Sequence, residues 1–178
     1  MKRNTCRILG LGAAILGLTM AQGAFAQMPD DLSPGTRVEL EGRIFDMGTL
    51  LAMEIAVLRA PTGEDAVKGG IQEVDHAKKR LTVAGVTVDC RGDCFVAGAN
   101  GRPLPFEKIE TGKRAKVTGV FEGGVFKGDY IKIQEMKPGK SGEAHIEGRI
   151  AAIDRESNTF TINGISVQVT PKTLIELE

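Results

Sequence analysis

The chain has 178 residues, with 23 basic and 23 acidic side chains, no tryptophan, one tyrosine and 23 glycines. Few aromatic residues and many glycines favour short strands and tight turns over a helical bundle. The balanced charge argues against a general electrostatic attraction to nucleic acid or to an anionic membrane, so we expect neither as a partner.

Residues 1–26 have the pattern of a signal peptide, which would be helical or disordered. A basic start precedes an apolar run at 8–20 that is too short to cross a bilayer, and small residues lie where a signal peptidase reads the sequence. We predict cleavage after Ala26, a periplasmic or secreted protein, no membrane span after cleavage and a flexible N-terminus at 27–34. Three of the 23 basic residues precede the cleavage site, so the mature chain has 20 basic and 23 acidic residues.

Two sequence units alternate along the mature chain. Moving the sequence by 79 positions places the segment that starts at Gly63 over the segment that starts at Gly142 without a gap. A second unit, from Gly35, matches the segment from Gly112. We name the first unit A and the second unit B, so that the order is B, A, B, A. Such repetition indicates that one supersecondary unit is used twice.

Unit A reads as a three-stranded meander, because its apolar residues alternate and its turns fall at 75–79 and 84–85. Unit B reads as two longer strands, at 114–122 and 125–135, with a short helical turn before them at 106–110. The segment 50–58 contains good helix formers, but its alignment with the second strand of the later unit B predicts a strand.

Unit A followed by unit B is the strand order of an OB-like five-stranded barrel. We therefore predict an all-β protein with two such barrels. Residues 63–136 would form a continuous barrel, and residues 35–60 plus 142–178 would form a circularly permuted one. Each terminal piece alone would leave open strand edges, so the two ends should lie side by side, in a monomer or in a strand-exchanged homodimer.

The segment VDCRGDCFV holds both cysteines of the mature chain, Cys90 and Cys94. In an oxidising compartment we expect a disulfide between them, with a modest effect on stability because the loop is short. A thiol-redox site is the weaker alternative, since no helix start lies there to lower a thiol pKa. A metal site is weaker still, because no histidine is near.

The sequence contains neither a glycine-rich phosphate loop before a helix nor a nucleophile with a recognisable base, so we predict no enzyme, no catalytic residues and no cofactor. The second strand of the later unit B offers a candidate binding surface. Phe126, Tyr130 and Lys132 would share one face there, as in a stacking platform. We favour a position for Phe126 in the core, with Tyr130 at a rim.

Two pairs of polar residues are predicted to have local roles. Asp75 and Asp154 occupy matching turns, where a carboxylate accepts hydrogen bonds from backbone N–H groups. His76 and His145 are single histidines in different copies of unit A, and we expect both on the surface.

The repeated motifs G-x-I-x-x-(I/V)-D, (F/L)-T-(I/V)-x-G-(I/V)-x-V and G-(K/T)-R-x-x-(V/L)-x-G resemble the bacterial domain of unknown function DUF5666, over roughly residues 35–60, 67–135 and 145–178. The resemblance implies an exported protein with an OB-like β-fold and brings no ligand residues. We therefore expect a non-catalytic binding or interaction module whose ligand is an exported protein, a glycan or an envelope component. The alternative is a periplasmic thiol-redox or metal-binding protein that uses Cys90 and Cys94.

Overall fold

The computed structural model describes residues 28–46, 48–59 and 63–177. This part of the chain is all-β, as predicted, with twelve strands in one connected sheet and a single turn of 3-10 helix at Phe106–Lys108. The predicted signal peptide lies outside the described residues. Within them, no helix has the length and apolar character needed to span a membrane.

The strands alternate with short turns along the chain. Their bounds are β1 Arg37–Asp46, β2 Thr49–Val57, β3 Asp65–Asp75, β4 Arg80–Val83, β5 Val86–Asp89, β6 Phe95–Ala97, β7 Arg114–Glu122, β8 Val125–Gln134, β9 Glu143–Asp154, β10 Thr159–Ile162, β11 Ile165–Gln168 and β12 Leu174–Leu177.

The sequence repeat is reproduced in the strands. β4 and β10 begin 79 residues apart, at Arg80 and Thr159, and so do β5 and β11, at Val86 and Ile165. The segment with good helix formers is the strand β2, in agreement with its alignment. β6 and β12 are also equivalent, and they are additions to the five strands that each pair of units predicts.

The strand pairings close into two cyclic sets of five. In the first set β3 pairs with β4, β4 with β5, β5 in parallel with β8, β8 with β7, and β7 with β3. The second set repeats this order with β9, β10, β11, β2 and β1, and β11 again runs parallel to β2. Leu40 in β1 lies opposite Ile146 in β9. The prediction that the two ends of the chain lie side by side is confirmed.

β3 and β9 pair with each other and join the two sets into one extended sheet. Its strand order is β6-β8-β7-β3-β9-β1-β2-β12. One residue from each of the six central strands forms a continuous apolar row on the inner side, and all six side chains are fully buried: Ile131, Val117, Val67, Ile146, Leu40 and Ile55. Because side chains alternate along a strand, the neighbours of these residues point outward.

Two glycines in equivalent positions allow a bulge in each copy of unit B. The register shifts at Gly42 in β1 and at Gly119 in β7, and a Cβ at either position would collide with a carbonyl oxygen of the paired strand. In β8 the extra residue of the bulge is Asp129, because Tyr130 lies opposite Thr118 while the next pair is Gly119 with Gly128. The bulge therefore reverses the alternation of inward and outward side chains along β8.

A third glycine lies in β9 at the junction of the two sets. A Cβ at Gly148 would lie 2.7 Å from the side-chain oxygen of Asn163, which is buried. The Asn163 amide donates to the Glu147 carbonyl at 3.2 Å, so this side chain is held where the glycine leaves room for it.

The segment before β1 differs from its prediction. We expected residues 27–34 to be flexible, but Met28 and Leu32 are fully buried and belong to the core cluster. The guanidinium of Arg155 donates to both of their carbonyl oxygens, at 3.1 and 3.0 Å. Two apolar side chains and an arginine that satisfies the backbone hold this segment against the sheet.

Candidate functional site

The cysteine pair lies directly after β5. Cys90 and Cys94 are at disulfide distance, with Cα atoms 5.2 Å apart, and Gly92 forms the turn between them at a φ of +86°. Cys90 is buried in the core cluster, and Cys94 packs against that cluster. The two cysteines therefore lie at the distance that the predicted disulfide requires, and the pair closes a short loop on the edge of the core.

A buried carboxylate holds this loop in place. Asp89 accepts hydrogen bonds from the Nε of Arg91, at 2.8 Å to Oδ1 and 2.9 Å to Oδ2. It also accepts a hydrogen bond from the guanidinium of Arg80. The hydrogen bonds from Arg91 lower the pKa of Asp89, and the same contact raises the pKa of Arg91. Across the described ranges, no group of three or more His, Cys, Asp or Glu side chains is arranged to hold a metal ion.

The candidate surface of Phe126, Tyr130 and Lys132 must be corrected. Phe126 is fully buried in the core, whereas Tyr130 is exposed on the opposite side of the sheet. The sequence pattern places them on one face because it assumes an unbroken strand, but the bulge at Asp129 inverts the alternation between them. Tyr130 and Lys132 do share the outward side of β8.

Phe95, rather than Phe126, is the aromatic neighbour of Tyr130 on the outward side of the sheet. β6 runs parallel to β8 and sets Phe95 opposite Tyr130. The two rings are stacked, with centroids 5.9 Å apart and planes inclined by 8°, and their side chains are 46% and 36% exposed. The sequence gives no signal for Phe95, because a three-residue strand shows no alternation. The outcome is an exposed aromatic pair at one edge of the extended sheet.

Charged side chains cross the outward side of this sheet in one row, which we call the charge row. The register sets its six members opposite one another on six successive strands: Lys132, Lys116, Lys68, His145, Glu41 and Glu54. The three strands from one cyclic set contribute lysines, and the strands from the other set contribute His145 and two glutamates. The charge row therefore has a basic half and an acidic half. It crosses the outer face, by which we mean the outward side of the eight strands from β6 to β12.

The two halves differ in how their charges are compensated. His145 in the acidic half lies 3.1 Å from Glu39 and 3.2 Å from Glu41, measured from its ring nitrogens to the carboxylate oxygens. For Lys68, Lys116 and Lys132, the described part of the chain supplies neither an ion pair nor a side-chain hydrogen bond. Like charges directly opposite on paired strands destabilise a sheet, so this row is costly unless an outside group neutralises it.

A cavity of about 380 Å³ opens at the middle of the outer face, beside Lys68 and His145. Arg114, at its wall, donates to the Lys140 carbonyl at 3.3 Å. Lys140 in turn pairs with Glu143 at 2.7 Å and lowers the pKa of that carboxyl group.

The two turn aspartates have the predicted local role, but only one of the two histidines predicted on the surface is exposed. Asp75 accepts a hydrogen bond from the Lys78 amide, Asp154 accepts one from the Glu156 amide, each at 3.0 Å, and hydrogen bonding in their turns lowers the pKa of both carboxyl groups. His76 is exposed and meets the ring of Phe106 edge-on, whereas His145 is half-buried within the charge row.

Comparison with known proteins identifies a similarity to a protein family. Residues 147–178 match the sequence profile of DUF5666, which is described as a domain of unknown function. This is the family that the repeated motifs resemble, and the match falls on the last copy of unit A. No curated protein and no solved structure matches the chain.

Proposed function

We propose that the protein is an exported, non-catalytic binding module built from two OB-like five-stranded barrels. One barrel is continuous, at residues 63–136, and the other is circularly permuted, from residues 35–60 and 142–178. The two cyclic orders of pairing support this arrangement, because each has the antiparallel meander and the one parallel contact that close a five-stranded OB-like barrel.

Two observations support export. The sequence of residues 1–26 has the basic start, apolar run and small residues before Ala26 that precede signal cleavage, which would leave a periplasmic or secreted protein. Cys90 and Cys94 lie at disulfide distance, an arrangement that persists in an oxidising compartment.

The observation that carries a binding function is the outer face. It exposes the stacked pair of Phe95 and Tyr130 beside lysines that the described residues leave without counter-charges. Exposed aromatic side chains are enriched at contact surfaces, because they bury a large area with few rotatable bonds. The partner would be an exported protein, a glycan or an envelope component.

The competing hypothesis is a thiol-redox or metal-binding protein that uses Cys90 and Cys94. Cys90 is buried, and the neighbouring Arg91 is engaged with Asp89 rather than directed at a sulfur. These contacts favour a structural pair over a reactive thiol, whose reactivity requires an accessible sulfur and a cation beside it. We therefore prefer the binding function.

A retention experiment separates the two hypotheses. The mature chain is immobilised and exposed to a bacterial periplasmic extract and to an array of envelope glycans. Tyr130→Ser removes the aromatic contact on the outer face, and a Cys90→Ser/Cys94→Ser variant removes the cysteine pair. Thr87→Ala is the control, because Thr87 is exposed on β5, which is not one of the eight strands of the outer face. We expect only Tyr130→Ser to lose retention.

Loss of retention in the cysteine variant alone would support the thiol or metal function instead. Equal retention by all four proteins would refute the outer face as the contact surface.

A further inference from the structure

We propose that the partner of the outer face is a second copy of this chain, packed face to face about a two-fold axis. The inference rests on the proposed function, in that it takes the outer face as the contact surface and names what covers it. It comes from the order of charges along the charge row.

The charge row is antisymmetric about the boundary between β3 and β9. Lysine occupies all three positions on the β3 side, and glutamate occupies the second and third positions on the β9 side. The second positions are Lys116 and Glu41, and the third positions are Lys132 and Glu54. At the second and third positions, residues at equal distances from the boundary therefore have opposite charges, whereas the first positions are Lys68 and His145.

A two-fold axis that runs along the strands at this boundary turns one copy over onto the other. Each strand then faces the strand at the same distance on the other side, so Lys116 faces the partner's Glu41 and Lys132 faces the partner's Glu54. The symmetry repeats both contacts, which gives four ion pairs from two residue pairs. Lys116 and Lys132 thereby gain the counter-charge that the described residues of one chain do not provide. Lys68 faces the partner's His145 and lies next to the acidic half of the other copy.

The same two-fold axis also brings together the exposed apolar side chains at the two ends of the outer face. β6 and β12 are its outermost strands, and they expose Phe95 at the basic end and Leu174 at the acidic end. Since β6 faces the partner's β12, Phe95 comes within one residue row of the partner's Leu174. The contact would thus bury the exposed apolar side chains at both ends together.

A polyanion would neutralise only the lysines of the charge row, whereas a second copy would also pair with its glutamates. The polyanion would be attracted by Lys68, Lys116 and Lys132 but would meet the carboxylates of Glu41 and Glu54 on the same face. The mature chain also has 23 acidic against 20 basic residues, so its overall charge repels an anion. A second copy neutralises both halves.

Reversing the charges of Lys116 and Glu41 tests whether these residues pair across the dimer. The mass of the mature chain in solution is measured by light scattering or sedimentation at low salt and at about 0.5 M salt, where the Debye length falls to about 4 Å. We expect a dimer at low salt that dissociates at high salt. Lys116→Glu and Glu41→Lys should each weaken the dimer at least about tenfold, because either change sets like charges against each other twice.

Two combinations should restore the dimer. The double variant Lys116→Glu/Glu41→Lys again has opposite charges at both contacts. An equimolar mixture of the two single variants should form a heterodimer, since the new Glu of one chain faces the new Lys of the other and the two unchanged residues also face each other. Lys108→Glu is the control, because Lys108 is exposed on the 3-10 turn and lies on none of the eight strands of the outer face, so its change should leave the dimer intact.

Circular dichroism shows whether each variant is folded. A folded wild-type chain that stays monomeric at low salt overturns the inference, and so does a dimer that neither combination restores. A monomer that retains a sulfated polysaccharide through Lys116 would assign the face to a polyanion instead. If the chain is monomeric while Tyr130→Ser still abolishes retention of another ligand, only the second copy is refuted and the binding function stands.

Discussion

Arg37 is the side chain that we expect to matter most for joining the two cyclic sets. It is the first residue of β1, and its side chain is only 4% exposed. Its guanidinium lies 2.9 Å from Glu147 in β9 and 3.4 Å from Asp65 in β3, and it donates to the Glu64 carbonyl at 2.7 Å. One buried cation thus connects β1 to the two strands that pair at the junction.

Replacing Arg37 with leucine leaves two carboxylates beside an apolar side chain. Removing one partner of a fully buried ion pair costs about 3–5 kcal/mol, because the remaining charge is buried without compensation. The side chains of Asp65 and Glu147 are 17% and 30% exposed, so water recovers part of that loss. We therefore expect the free energy of unfolding to fall by about 2–4 kcal/mol.

The assay is urea unfolding of residues 27–178, monitored by far-ultraviolet circular dichroism because the sequence has no tryptophan. The urea concentration at the midpoint should fall, while the slope of the free energy of unfolding against urea concentration stays the same. Arg43→Leu is the matched control, because Arg43 is an exposed arginine on the same strand, and we expect it to change stability by less than about 0.5 kcal/mol. Equal midpoints for the two variants would refute the role of the buried cation.

Three further predictions concern stability. The Cys90→Ser/Cys94→Ser variant should lose about 2 kcal/mol in urea unfolding, the loop-closure value for so short a ring, and a loss near zero would mean that the cysteines are unbonded in solution. Gly148→Ala should lower the melting temperature, because the new methyl group would press on the buried side chain of Asn163. Gly142→Ala is the control, since a Cβ there meets open space and should leave the melting temperature unchanged. Equal melting temperatures would contradict the close contact between Gly148 and Asn163. The pKa of Asp89 is lowered in the folded state, so its contribution is complete above about pH 4 and is lost as the pH falls through the lower folded value. Below pH 4 the wild-type protein should therefore lose more stability than Asp89→Asn, and parallel acid profiles would disprove the coupling.

Much of the fold is determined by local features of the sequence. Alternating apolar residues and turn residues locate the strands of unit A, because side chains alternate across a strand and glycine or aspartate suits the turns. The repeat assigned β2 as a strand despite its helix formers. It also required the two ends of the chain to pair, since neither end alone could cover its apolar side.

Other features were decided only by the tertiary structure. The strands β6 and β12 are too short to show a periodic pattern, so Phe95 could not be placed opposite Tyr130. The bulge at Asp129 depends on how β7 and β8 meet, and it sets Tyr130 on the side of the sheet opposite Phe126, whose core position the sequence already favours. The charge row depends on the register between β3 and β9, strands about 80 residues apart that contact through backbone hydrogen bonds. A one-dimensional pattern records which residues alternate, but the packing of distant strands determines which residues lie opposite one another.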